Sequence, residues 1–463
     1  MDSQWQIQCL DISEMQASAA QLEQWAGEIA TAIPTALKCA TPDTLRPLIR
    51  EYLDLDQAFE ALSAQITLQR LEGRTTKQSQ SMLERLQADL SQTLMAQTQP
   101  LLSELQQHSD HWCIAMPEHQ TWLTSLQRYR CDQPDFAQTL RTLGAQYQQL
   151  ASQLQPEKGS CRAALADLLR QRVELEKTVQ GDGLPLALRL WCRQNDVDKK
   201  QLTRVLEPEF QAVHHYIREV QHQNALSFCT LNDFRAFEQD RMAIPAMLPE
   251  DAVQLILQAL NDLNPQSAER LHLLVQKGRL AVRPSDSNTV PLCLDTPMGS
   301  WVRLPYVPDL YHLMLLMHEL GHALHQEQHR AAGNGHIPLP AVESEMAALS
   351  AEQTLAHWLM QSGGPMAEPA DHYLQYQRME MDHRHRMLAR FELALHDLPE
   401  VTEQSISQLW LNVNQAFYGE TIELPEDFQW VWCEVHHFFT APYYLLAYPL
   451  AMRNAQPLTD MSL

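Results

Sequence analysis

The amino-acid sequence predicts a mainly α-helical protein. Of its 463 residues only 14 are glycine and 26 are proline, whereas roughly 7% of an average chain is glycine. Tight hairpins depend on glycine, so this composition favours long helices joined by proline-bounded connections over an all-β architecture. Apolar residues also recur at helical spacing in the first half of the chain.

Residues 1–165 are predicted to form an N-terminal helical scaffold, and residues 166–463 a second region. The clearest helix has apolar residues 4, 3, 4, 3 and 4 positions apart, namely Phe136, Leu140, Leu143, Tyr147, Leu150 and Leu154. Such spacing gives a helix one apolar face. A second stripe of Met82, Leu86, Leu90 and Leu94 recurs every fourth residue, and we expect Pro100 to end that helix.

Residues 279–306 differ from the helical segments around them, because short apolar runs alternate with Pro, Asp, Asn and Gly. This pattern predicts one or two short strands and a turn around residues 295–299. Helical patterns resume after the turn. The predicted fold is therefore mainly α with a small β element.

The formal net charge is −23, from 34 Lys and Arg against 57 Asp and Glu. Nucleic acids and anionic membranes are bound through clustered Lys and Arg, so this charge argues against both partners. The first residues lack the basic and apolar stretches of a signal peptide, and the apolar run 438–452 is shorter than the ~20 residues of a membrane span. Nine Cys without a C-x-x-C pair fit reduced thiols. We therefore expect a cytoplasmic protein.

Residues 309–329 contain the strongest chemical signal, an H-E-x-x-H pattern formed by His318, Glu319 and His322. Asp309 is suited to cap this helix, and the apolar residues around the motif predict that the helix is buried. Positions i and i+4 lie on one face, so both imidazoles can bind one metal ion. Glu319 is rotated by about 100° from them, close enough to contact a reacting water molecule without binding the ion.

Burial strengthens the metal interpretation, because an unpaired carboxylate inside an apolar helix costs several kcal/mol and a metal site offsets that cost. Other catalytic motifs are missing from the sequence. It has no G-x-S-x-G, no Walker A motif and no G-x-G-x-x-G. Their absence argues against a serine hydrolase, a nucleoside triphosphatase and a dinucleotide-binding enzyme.

The third metal ligand is expected on the helix predicted over residues 340–358, since position 328 is Gln where a metzincin has its third His. That helix offers Glu343, Glu345 and Glu352. Acidic residues in the first turn of a helix also complement its dipole without any metal. Glu345 and Glu352 share a face, so one can bind the metal while the other orients a His of the site.

The segment HELGHALH at 318–325, followed by Glu345 and Glu352, resembles the oligoendopeptidase F and thimet oligopeptidase family of zinc metallopeptidases. Three later segments are also similar to that family: RHRMLARFELALHD at 384–397, AFYG at 416–419 and WCEVHHFFTAPYYLLAYPLA at 432–451. The first of them contains Phe391, Glu392 and His396. The likeness covers residues 170–463.

The resemblance implies a multi-helix, zincin-like body with a deep substrate channel, whose catalytic zinc metallopeptidase region is residues 166–463. It also implies one zinc ion per chain and a set of site residues. The zinc ligands would be His318, His322 and Glu345, with Glu343 as the alternative third ligand; Glu319 would be the general base, and His437, Tyr444 and Tyr448 would stabilise the transition state. A strand near 301–304 would pair with the substrate backbone.

The function expected from these features is a zinc-dependent endopeptidase that cleaves short or unstructured peptides. The N-terminal region is shorter than is usual in the family, so an alternative is a processing protease for a precursor (leader) peptide. A second alternative is a catalytically silent helical peptide-binding protein that retains zinc, although the intact Glu319 speaks against it. The glycine-containing loop 331–338 would close over substrate or serve as an ordinary connection. Nothing in the sequence predicts an oligomeric state.

Overall fold

The computed structural model describes residues 11–71, 76–129, 134–151, 161–177, 183–207, 210–284, 291–335 and 337–456. These residues are mostly helical with five short strands, which confirms the predicted mainly α fold class. None of the helices in these ranges is both long and apolar enough to cross a lipid bilayer. His336, in the glycine-containing loop, lies outside the described residues.

The N-terminal helices form a core of their own. They are α1 (Ile12–Lys38), α2 (Pro42–Leu71), α3 (Lys77–Gln107), α4 (Ser109–Ala115) and α5 (Gln120–Arg128). Helix α1 begins at a capping box, in which the side chains of Asp11 and Glu14 each accept a hydrogen bond from the other's backbone N–H. The buried face of α1 packs against α2 and α3.

Helix α3 continues through Pro100, so the expectation that this proline ends the helix is wrong. Leu101 and Leu105 are fully buried beyond the proline, and their packing offsets the hydrogen bond that Pro100 cannot donate. Leu90 and Leu94 are buried and Leu86 packs against the same core, so the predicted stripe is confirmed except at its first position. Leu83 is buried, whereas Met82 is 37% exposed.

The middle of the chain adds eight helices and one short strand. They are α6 (Pro134–Ala151), α7 (Arg162–Lys177), α8 (Leu186–Gln194), α9 (Lys199–Leu206), α10 (Phe210–Gln223), β1 (Cys229–Thr230), α11 (Leu231–Arg241), α12 (Pro249–Leu263) and α13 (Pro265–Gln276). Helix α6 packs against later parts of the chain: the Tyr147 ring stacks on Phe439 with centroids 4.3 Å apart, and its hydroxyl donates to the Cys433 carbonyl. The domain division at residue 165 stays a prediction.

A small sheet precedes the H-E-x-x-H helix, where the sequence predicted a β element. Its strands are β2 (Leu280–Pro284), β3 (Leu292–Leu294) and β4 (Trp301–Tyr306), in the order β2-β4-β3. Strand β4 is parallel to β2 and antiparallel to β3. Residues 302–303 of β4 have a partner strand on each side, so they cannot pair with a substrate as expected; β2 and β3 are the edge strands of this sheet.

The remaining elements carry the site. They are α14 (Leu310–Ala331), α15 (Ala341–Ser362), α16 (Ala367–Gln377), a π-helical segment (Arg378–Arg384), α17 (His385–Ala394), α18 (Glu403–Tyr418), β5 (Ile422–Glu423), α19 (His437–Thr440) and α20 (Ala447–Met452). Strand β5 pairs with β1 in parallel. Short 3-10 segments lie at Leu395–Asp397, Glu426–Glu434 and Tyr444–Leu446.

Helices α14 and α15 are in close contact at Gly321, within the H-E-x-x-H motif. A Cβ atom at this position would lie 2.8 Å from the Ala348 Cα and 2.9 Å from the Ala351 Cβ. Both neighbours are on α15, and backbone atoms cannot yield as a flexible side chain does. The glycine therefore sets the distance between the helix that carries His318 and His322 and the helix that carries Glu345.

We expect Gly321→Ala to destabilise the protein by about 1–3 kcal/mol through overpacking and, if His318, His322 and Glu345 hold the zinc ion that the sequence predicts, to weaken its binding by moving α15 away from α14. Thermal unfolding and zinc titration measure the two effects. Gly27→Ala in α1 is the matched control, since its Cβ would meet only the Gln97 Nε2 at 4.0 Å. A Gly321→Ala protein with wild-type melting temperature and zinc affinity would contradict the role given to this glycine.

Candidate metal centre

Helix α14 presents two imidazoles to one point. The helix begins at Asp309, whose side chain accepts a hydrogen bond from the His312 backbone N–H at 2.8 Å, as expected for a cap. Apolar neighbours bury most of the helix. His318 and His322 lie one turn apart with nearly perpendicular rings, and their Nε2 atoms are 3.2 Å from each other.

Glu345 of α15 completes a group of three ligand atoms. Its Oε2 lies 3.4 Å from the His318 Nε2, and its Oε1 lies 3.8 Å from the His322 Nε2. Atoms that bind one tetrahedral zinc ion at about 2.0–2.2 Å lie about 3.3–3.5 Å apart. The three side chains therefore lie close enough together to hold one metal ion.

The alternative third ligand lies elsewhere. The Glu343 carboxylate is 3.4 Å from the His325 Nε2, and its side chain is 45% exposed. Glu343 and Glu345 are two positions apart and so face different sides of α15. The structure brings Glu345, and not Glu343, to His318 and His322.

Each imidazole is oriented through its other nitrogen. The His318 Nδ1 lies 2.5 Å from the Glu352 Oε1, and the His322 Nδ1 lies 2.9 Å from the Ser344 Oγ. Glu352 is buried and also accepts hydrogen bonds from the Tyr373 hydroxyl and the Gln377 amide. A carboxylate behind a ligating His fixes its ring and leaves the Nε2 lone pair for the metal. Sequence reasoning missed Ser344, Tyr373 and Gln377, which carry no motif.

The electrostatics of the group favour a positive ion. Burial raises the pKa of Glu345, and its Oε2 atom is buried without a hydrogen-bond partner. Burial would lower the pKa of His318, but the hydrogen bond and charge of Glu352 and the charges of Glu345 and Glu319 together raise it to about 9. Burial and the charge of His318 lower the pKa of His322. Carboxylates around two imidazoles, with one carboxylate oxygen left without a partner, fit a bound divalent cation.

Glu319 stands beside this group without joining it. Its side chain is half-buried, and its carboxylate accepts a hydrogen bond from the backbone N–H of Cys293 in β3. Burial raises the pKa of the Glu319 carboxyl to about 7. Strand β3, at an edge of the small sheet, and the H-E-x-x-H helix thus meet at this carboxylate.

Two of the three expected transition-state donors, Tyr444 and Tyr448, lie next to Glu345. The Tyr444 hydroxyl donates to the Glu345 Oε1 at 2.6 Å, and the Tyr448 side chain also opposes the rise in the pKa of that carboxyl. The His437 ring stacks on Tyr444 with centroids 5.2 Å apart. Burial lowers the pKa of His437 to about 3, so its imidazole is neutral. The C-terminal segment thus places Tyr444 and Tyr448 beside the candidate metal centre, and His437 lies behind Tyr444.

A buried ionic network holds the C-terminal segment that carries His437 and Tyr444 in place. The sequence alone did not predict this network. The Arg172 Nη1 is 2.7 Å from the Glu392 Oε1 and also donates to the Phe438 carbonyl. The Glu392 carboxylate in turn accepts a hydrogen bond from the backbone N–H of Tyr443. Tyr443 has a positive φ of 62°. The pair therefore fixes both ends of the turn that runs from Phe438, next to His437, to Tyr443, next to Tyr444.

We expect Arg172→Met to destabilise the protein by about 3–5 kcal/mol, because it leaves the buried carboxylates of Glu176 and Glu392 without their cation. Urea denaturation measures this loss. Arg170→Met is the matched control on the same helix: Arg170 pairs with Asp167 and Glu174 at the surface, and exposed ion pairs contribute little. Equal stability of the two variants would contradict the network's role.

Two cavities adjoin the centre. A cavity of about 1080 Å³ lies between α2, α3 and α6 on one side and the end of β3 with the start of α15 on the other. Polar and apolar side chains line it together, and the polar ones include Glu60, Glu84, Asp295 and several Gln side chains. A second cavity of about 530 Å³ lies on the Tyr444 side. Ser344, which contacts His322, lines both.

Comparison with solved structures defines the class of fold as that of mainly helical peptidases. PZ peptidase A with an inhibitor matches with a TM-score of 0.70 and 12% identity, over 97% of this chain and 87% of that one. A provisionally assigned oligoendopeptidase F from Bacillus anthracis matches with a TM-score of 0.66 and 13% identity, over 97% of this chain and 86% of that one. A provisionally assigned peptidase from Chlamydophila abortus matches with a TM-score of 0.64 and 15% identity, over 89% of this chain and 80% of that one.

These matches confirm, at the level of fold, the resemblance to oligoendopeptidase F that the sequence indicated. No protein-family model and no curated protein matches the chain. At 12–15% identity the shared property is the fold.

Proposed function

We propose that the protein is a zinc-dependent endopeptidase of the oligopeptidase type, which hydrolyses bonds in short or unstructured peptides. The observation that carries this proposal is the convergence of His318, His322 and Glu345, with Glu319 half-buried beside them. Two imidazoles and one carboxylate are the ligand set of zinc hydrolases that keep a fourth position open. The fold shared with peptidases supports peptides as the substrate.

Zinc at such a site lowers the pKa of a water molecule and polarises a carbonyl group. In our proposal the Glu319 carboxylate takes the proton of the attacking water and delivers it to the leaving amine. The hydrogen bond from the Cys293 N–H holds this carboxylate in place. Glu319 ends the cycle deprotonated, as it began.

Glu352 acts on the reaction through His318. By accepting the Nδ1 proton it keeps the imidazole in one tautomer and one orientation. We assign the stabilisation of the developing negative charge on the substrate oxygen to Tyr444, Tyr448 and His437. Substrate binding would then exchange the hydrogen bond of the Tyr444 hydroxyl with Glu345 for a bond to that oxygen.

The cavity of about 1080 Å³ is our candidate for the substrate channel, because it reaches Ser344 and the end of β3. Helices on both of its sides favour extended peptides over folded proteins. We also propose a cytoplasmic location, since Cys39, Cys161 and the other described cysteines are free thiols, as is usual in reducing compartments.

Hydrolysis of a quenched fluorescent peptide library tests the proposal. Purified protein is expected to contain one zinc ion per chain, to lose peptidase activity after treatment with a chelator, and to regain it on addition of zinc. Thermal unfolding of the chelated protein is the control for loss of structure. Activity that persists in fully metal-free protein, or no hydrolysis by the zinc-loaded protein, would refute it.

A further inference from the structure

The second cavity, of about 530 Å³, is lined by side chains that contact the candidate metal ligands. Two of its lining residues are Ser344, whose Oγ is 2.9 Å from the His322 Nδ1, and Tyr444, whose hydroxyl is 2.6 Å from the Glu345 Oε1. Its wall therefore touches two of the three candidate ligands. A group bound there would sit directly beside the reacting bond.

Most of the remaining wall is apolar. Helix α6 contributes Phe136, Ala137 and Leu140, and helix α8 contributes Ala187, Leu190 and Trp191. Phe136 and Trp191 are buried, whereas Leu140 and Leu190 are half-buried. Arg141 is the one charged side chain among the lining residues, and it is exposed. The Asn195 side-chain amide already has hydrogen-bond partners within the protein: its oxygen accepts a hydrogen bond from the Val342 N–H, and its nitrogen donates one to the Trp191 carbonyl.

The two cavities at the site therefore differ in chemistry. The larger one is lined by Glu60, Glu84, Asp295 and several Gln, whereas the smaller one has apolar walls. They meet at Leu339 and Ser344, which line both. An extended peptide bound in the larger cavity, with its scissile bond at the candidate metal centre, would place a neighbouring residue in the smaller cavity.

We propose that the cavity between α6, α8 and Tyr444 is a specificity subsite for a bulky apolar side chain, such as Phe, Leu or Met, next to the scissile bond. The inference rests on the proposed peptidase function. A volume of about 530 Å³ is within the range of small-molecule sites and exceeds what an alanine side chain fills. Removing a large apolar side chain from water into these walls is the source of the selectivity.

Peptides that are identical except for Phe or Ala on either side of the scissile bond test the subsite. For the wild-type protein, kcat/KM is expected to be at least about tenfold higher with Phe at one of the two positions. Ala137→Trp fills the cavity and Leu190→Gln makes its wall polar. Each is expected to reduce the Phe/Ala ratio at that position to near one.

Leu255→Gln is the matched control: it makes the same change at a half-buried leucine, in a cavity lined by α12 and α13, and should keep the wild-type ratio. Thermal unfolding shows which variants are folded. Because Ala137→Trp and Leu190→Gln change the cavity in different ways, one folded variant of the two is enough to test the subsite. Hydrolysis with no Phe/Ala preference, or a preference that survives in a folded subsite variant, overturns the subsite but not the peptidase. No hydrolysis of any peptide overturns the proposed function and the subsite with it.

Discussion

Replacing Glu319 by Gln is expected to lower kcat for peptide hydrolysis by about 10²–10⁴-fold, the usual contribution of a general base, while the zinc content stays at the wild-type level. The amide keeps the size of the side chain but cannot accept a proton from water. The zinc ligands remain in place, because Glu319 is not among the three converging side chains. Peptidase kinetics and elemental analysis of the purified variant measure the two quantities.

Glu343→Gln is the matched control for this experiment. It removes a carboxylate that pairs with His325 outside the three-ligand group, so zinc content and kcat should stay close to the wild-type values. A Glu319→Gln protein that cleaves peptides at the wild-type rate would exclude this residue as the base. Loss of zinc from that variant would instead make Glu319 a ligand, contrary to the geometry.

The metal centre could be anticipated from sequence because its spacing is local. His318 and His322 are one helical turn apart, and an amphipathic or buried helix fixes their relation whatever the rest of the chain does. The third ligand was open among three Glu residues on residue pattern alone. Their choice depends on the crossing of α14 and α15 at Gly321, a tertiary contact that no local pattern encodes.

Other features that depend on long-range packing could not be predicted from local sequence patterns either. Pro100 lies inside α3, because the burial of Leu101 and Leu105 outweighs its local preference. Strand β4 is central in its sheet because β2, which precedes β3 in the chain, pairs with it in parallel on the side opposite to β3. The Arg172–Glu392 pair joins positions 220 residues apart, so the segment with Phe391 and Glu392 was noticed only through its resemblance to a family.

Replacing Glu345 by Ala is expected to weaken zinc binding by more than about 100-fold, beyond the 10–100-fold loss typical of residues that merely orient a ligand. The variant should show no peptidase activity at stoichiometric zinc. The reason is geometric: Glu345 supplies the carboxylate that faces both His318 and His322. Competition with a chromophoric chelator measures the affinity.

A second variant separates binding the metal from orienting a ligand. Glu352→Gln keeps a hydrogen-bonding group beside the His318 Nδ1 but removes the charge, so its zinc affinity should fall about 10–100-fold, less than that of Glu345→Ala. Zinc also stabilises a protein that binds it only when folded. The zinc-dependent rise in melting temperature should therefore decrease from wild type to Glu352→Gln to Glu345→Ala, and any other order would contradict the assignment of Glu345 as the ligand and Glu352 as the group that orients His318.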